Sequence, residues 1–71
     1  MNAEEKYGNV LIKRTATKIQ SRYAVSKSQA RYIAIKTLDA LEAHGGSSKD
    51  SVQVERIIEV VVGSWLKNGN L

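Results

Sequence analysis

Eight cations and no acid occupy the run from Lys6 to Leu38: Lys6, Lys13, Arg14, Lys18, Arg22, Lys27, Arg31 and Lys36. The other residues carry three cations, Lys49, Arg56 and Lys67, against seven acids, Glu4, Glu5, Asp39, Glu42, Asp50, Glu55 and Glu59. The overall charge of +4 therefore hides a segment at +8 beside a remainder at −4. Scattered lysines and arginines usually make a solvated face, but surfaces shaped for solubility alone intersperse both signs. An acid-free basic run of this length is the footprint of a polyanion partner, with nucleic acid the first candidate.

That chemistry is binding, and the residue types argue against catalysis. The chain has no Cys, which removes disulfides, thiolate metal sites and thiol nucleophiles. His44, the single histidine, stands beside Gly45 and Gly46 at an expected helix end, where a lone imidazole suits capping or solvent and has no partner ligands for a metal. The basic region holds no acid to serve as a general base, and the acids elsewhere fall on expected solvent faces. The expectation is a non-enzyme with no catalytic residue, metal, cofactor or small-molecule substrate.

The elements that must position the cations are helices. Proline and phenylalanine are absent, so nothing locks a turn by Pro and aromatic strand formers are few. A first helix is expected over about residues 10–23, with Ile12, Ala16, Ile19 and Tyr23 on its apolar arc, Leu11 and Thr15 beside it, and Asn9 as N-cap after Gly8. On that wheel Arg14, Lys18 and Arg22 recur at i, i+4 and i+8, off the apolar arc. A second helix is expected from Lys27 to Ala43. Ser26 and Gln29 form an S-x-x-Q capping box at its start, Ala30, Ile33, Ala34, Thr37, Leu38 and Leu41 follow the helical template, and Gly45 supplies the stop. Tyr32 and Ile35 lie outside that arc with Lys27, Arg31 and Lys36. "GGSSKD", residues 45–50, reads as a linker. A third helix, capped by Asp50 or Ser51, is expected to about Lys67 with Val54, Ile57, Ile58, Val61, Val62 and Trp65 on one arc.

The expected fold is thus all-α: one three-helix domain over residues 1–71, with a DNA-binding part at 9–44 and a C-terminal helix at 50–68. No apolar run is long enough for a membrane span, and the acidic, polar opening "MNAEEKYGNV" does not read as a secretory signal, so the expected compartment is the cytoplasm.

Within this plan the segment "TKIQSRYAVSKSQARYIAI" resembles the helix-turn-helix of small bacterial, phage and plasmid DNA-binding regulators. Ile19 stands at the buried position of the supporting helix and Tyr23 at its last apolar contact. Ala24 takes the turn position that the family usually gives to Gly, Val25 follows the turn, Ser26 caps the second helix, and Ala30 and Ile33 fill its buried slots. Gln20 stands where the family prefers a small residue. The resemblance implies sequence-specific binding of double-stranded DNA and a role in transcriptional or replicative regulation. It makes Lys27, Ser28, Arg31 and Tyr32 the candidate base-contacting residues, Arg and Lys pairing best with guanine O6 and N7. Ser26, with the helix-start N–H groups, and Lys13, Arg14, Lys18, Arg22 and Lys36 are the candidate phosphate contacts.

Two other readings stand beside it. "AVSKSQARYIAIKTLDALEAHG" also resembles the second helix of ribbon-helix-helix repressors, in which "EEKYGNV" would have to be the DNA-reading strand. A small helical adaptor or inhibitor that docks its basic face on an acidic protein is the alternative from outside nucleic-acid binding. The wide arc of the third helix further predicts a homodimer through Ile57, Val60, Val61 and Trp65, with Val60 on the side that a monomer would leave bare. The basic run sets a first measurable expectation. Contact with about four to six phosphates gives log affinity a slope of roughly −4 to −5 against log salt, readable by fluorescence anisotropy, and a flat slope removes the polyanion partner.

Overall fold

The computed structural model describes residues 2–67, which form four α-helices and no strand. They are α1 (Ala3–Tyr7), α2 (Asn9–Arg22), α3 (Lys27–Ala43) and α4 (Ser51–Lys67). The all-α expectation holds, but there are four helices where three were expected. The three expected helices are α2, α3 and α4, and α1 is the addition. The tail from Asn68 onward, included in part in the expected C-terminal helix, lies outside the described residues.

The added helix has a local cause. The Asn2 side-chain oxygen accepts the Glu5 backbone N–H at 2.8 Å, and Glu4 and Glu5 place negative charge in the first turn. Both devices stabilise a helix start. Gly8 ends it with φ 84, a left-handed value that costs glycine little, and α2 begins at once. Gly8 therefore takes the N-cap position of α2 without a side-chain bond, and Asn9, expected as that cap, is the first helical residue. The segment that a ribbon-helix-helix needs as its strand, residues 4–10, is thus helix, Gly8 and helix again.

The chain divides into two compact units, Met1–Ile35 and Lys36–Leu71. In the first, Ile12, Thr15, Ala16 and Ile19 of α2 and Ala30, Ile33 and Ala34 of α3 are buried. Thr15 is admitted because its hydroxyl donates to the Leu11 carbonyl at 2.8 Å. Between the helices the chain turns through Tyr23 to Ser26. Tyr23 is extended (φ −130, ψ 144), and the Val25 N–H donates to the Tyr23 carbonyl at 2.9 Å, closing a three-residue turn centred on Ala24. No described residue other than glycine has positive φ, so this is the inverse γ form, which Ala24 adopts without strain. A glycine is not required there. Ser26 and Gln29 then cap α3 reciprocally: the Ser26 N–H donates to Gln29 Oε1 at 2.9 Å and the Gln29 N–H to Ser26 Oγ at 3.1 Å.

In the second unit the buried residues are Thr37, Leu38 and Leu41 of α3 and Val54, Ile58 and Val62 of α4, while Ile57, Val61 and Trp65 are half-buried. The segment read as a linker is an ordered connection. Gly45 (φ 71) donates to the Glu42 carbonyl and Gly46 to the Leu41 carbonyl at 2.7 Å, the paired bonds of a Schellman stop. The Ser47 N–H donates to Gln53 Oε1 at 3.1 Å, and Asp50 Oδ1 accepts the Val52 and Gln53 N–H groups as the cap of α4.

Ser26, which caps α3, and Asn9, which caps nothing, give different expectations for alanine substitution. Ser26→Ala should lower the free energy of unfolding by about 1 kcal/mol, whereas Asn9→Ala, which removes no capping bond, should stay within about 0.5 kcal/mol of the parent. Urea denaturation followed by circular dichroism measures both.

Candidate nucleic-acid interface

Four of the expected contact residues, Lys13, Lys27, Ser28 and Arg31, meet at one place. In the first unit Asn9, Lys13 and Ala16 of α2 and Lys27, Ser28 and Arg31 of α3 line an open depression of about 480 Å³. The α2 members lie at i, i+4 and i+7, one face of that helix. The α3 members sit in its first turns, a placement set by the Ser26–Gln29 cap. Lys27 and Ser28 are exposed, and Arg31 is about 40% exposed in its side chain.

The start of α3 brings backbone donors to the same wall. The first N–H groups of any helix lack an intrahelical acceptor. Here Gln29 and Ser26 satisfy each other, and among the described residues the Lys27 and Ser28 N–H groups have no acceptor. Such donors, with the positive end of the helix dipole behind them, favour an anion. Ser26, expected as a phosphate contact, uses its N–H and one hydroxyl lone pair within the cap, leaving its O–H proton as the group to offer outward.

The cations differ in what they already hold. Among the described residues, the side chains of Lys13, Arg14, Lys18 and Lys27 have no hydrogen bond or ion-pair partner. Arg31 has one: its Nη2 donates to Glu4 Oε1 of α1 at 2.6 Å. Lys6 sits on α1 with its Nζ 5.5 Å above the centroid of the Tyr7 ring, a cation–π distance.

The remaining expected contacts stand elsewhere. At 100° per residue, Arg14, Lys18 and Arg22 are turned about 100° to 180° from Lys13 around α2, on the other side of its exposed face. Lys18 is half-buried and the two arginines are exposed. Tyr32 is 51% exposed on α3. Lys36 is an exposed residue of the second unit. On α4, Val60 is 67% exposed, on the bare side where it was expected, with Val52 exposed one turn pair earlier. Among the described residues no group of three or more His, Cys, Asp or Glu is arranged to hold a metal ion, and no helix is long and apolar enough to cross a membrane.

Asn9 and Ala16 line the depression and Glu4 meets one of its cations, and none of the three was among the expected contacts. Asn9 could be read from its spacing, four residues before Lys13 on the same helical face. Glu4 could not, because it lies 27 residues from the arginine that it meets. No family model, curated protein or solved structure matches the chain.

Proposed function

We propose that the protein is a sequence-specific double-stranded DNA-binding regulator that uses α2 and α3 as a helix-turn-helix, with the depression at the start of α3 as its contact surface. The observation that carries this reading is the meeting of Lys13, Lys27 and Arg31 with the acceptor-free N–H groups of Lys27 and Ser28. Point charges, a planar guanidinium and fixed backbone donors together suit a phosphodiester backbone beside a base edge. Ile19, Ala30 and Ile33, the positions that brace the two helices in the helix-turn-helix family, are all fully buried. Lys27, Ser28, Arg31 and exposed Tyr32 are assigned to base edges, and Lys13, the Ser26 hydroxyl and Lys36 to phosphates. Arg14, Lys18 and Arg22, on a separate flank of α2, act through the field that they add within a Debye length.

Selection of bound sequences from a random duplex pool tests the reading directly, since an enriched consensus supports it and an unenriched pool overturns its specificity. Given a consensus, Arg31→Ala should cost about 1 to 3 kcal/mol and relax preference at one base position, whereas Lys18→Ala should weaken every sequence alike. If both variants lower affinity uniformly, α3 is not the reading element.

The same proposal includes a homodimer through α4. Support comes from the exposed Val52 and Val60 and the half-buried Ile57, Val61 and Trp65 on one 17-residue helix. A dimer with a dissociation constant near 1 μM needs about 8 kcal/mol, within reach of a modest apolar helix pair. Val60→Glu should then move sedimentation towards monomer and lower DNA affinity, although Val60 lies outside the basic run. A parent protein that sediments as a monomer at tens of micromolar removes the dimer.

A further inference from the structure

We infer that Glu4 is a built-in competitor for the polyanion: its carboxylate holds Arg31 in the free protein and is displaced when a phosphate-bearing ligand enters the depression. This rests on the nucleic-acid reading of that site and adds its regulation. Of the three cations that line the depression, Lys13 and Lys27 are unpaired among the described residues, and Arg31 alone is taken by an acid. The 2.6 Å contact between Arg31 Nη2 and Glu4 Oε1 is a charge-assisted hydrogen bond, the bond a phosphate oxygen would make to the same nitrogen. The carboxylate thus takes a donor that the ligand would use.

Three features make the contact reversible. Both partners are open to water, with side chains 40% and 54% exposed, so the pair holds Arg31 by a factor of at most about five. The helix that carries Glu4 is five residues long and has no buried residue, so no core opens when it moves. Its link to α2 is Gly8, with φ 84 and nothing within 4 Å of the space a Cβ would fill, a joint with room to change its dihedral angles. Segments this short hold helical form only through such local ties.

Glu5 provides the control, because it carries the same charge one residue on and its side chain is exposed without a bond to Arg31. Glu4→Gln and Glu5→Gln change the net charge equally, and only the first removes the charge that holds Arg31. With a short labelled duplex of random sequence at low salt, Glu4→Gln should bind about two- to fivefold more tightly than Glu5→Gln, the range that an exposed ion pair commands. Equal affinities in the two variants overturn the inference. Weaker binding by Glu4→Gln also overturns it, because Glu4 would then be a buttress that aims Arg31. If no form of the protein binds the duplex, the nucleic-acid reading fails and inorganic pyrophosphate decides the inference separately. A larger response of the Arg31 side-chain NMR signals in Glu4→Gln than in Glu5→Gln sustains the competitor, and identical responses overturn it.

Discussion

The two hydrogen bonds between Ser26 and Gln29 decide what the start of α3 can do. By satisfying each other they remove two of the groups that a helix leaves orphaned at its N-terminus, and the remaining donors belong to Lys27 and Ser28. They also fix where helical geometry begins, so that Arg31 falls one turn after Lys27 on the same face, while Ala30, Ile33 and Ala34 turn into the interior. A start displaced by one residue would offer a different pair of N–H groups beside a different side chain. Capping, charge placement and burial therefore form one constraint at this helix end, written in four consecutive residues.

The charge distribution follows a second constraint, the mutual repulsion of like charges. Along α2 the cations are spread over the exposed face, with Lys13 on one flank and Arg14, Lys18 and Arg22 on another. No acid of the same helix relieves them. The relief found at Arg31 comes from α1, where two acids already stabilise a helix start by their position. Glu4 thus serves a short helix and an arginine of another helix at once, and neither role needs burial.

Much of the fold was legible because helices announce themselves locally. The boundaries of α3 matched its capping box and its glycine stop, and the six apolar positions assigned to its arc are the six that are buried. On α4 the arc was read slightly too wide: Val54, Ile58 and Val62 are buried, and Ile57, Val61 and Trp65 only half so. The short α1 is not legible by period, since five residues show no apolar repeat, although Asn2 and Glu5 have the spacing of a cap and its third residue. Asn9 has the residue type of a cap, but the glycine before it takes the N-cap position without a side chain. At the candidate site, the grouping of Lys13 and the separation of the Arg14 stripe follow from helical angles. The Glu4–Arg31 contact depends on how α1 lies beside α3 within the first unit, which no pattern along the chain encodes.

The ordered connection between α3 and α4 bears on how quickly the chain can fold. Its stop bonds join residues three and five positions apart, the Gln53 side-chain carbonyl closes on Ser47 six residues away, and Asp50 starts the next helix within the same turn. Gly46 is fitted closely there, since a Cβ at that position would lie 3.0 Å from Leu41 Cδ2 and 3.1 Å from Gln53 Oε1. A helical hairpin tied by such short-range contacts closes its loop at little entropic cost. No proline stands anywhere in the sequence to impose a slow isomerisation. Local contacts of this kind form early, because little loop entropy is lost before they close. The apolar arcs of α3 and α4 in the second unit are therefore brought together early.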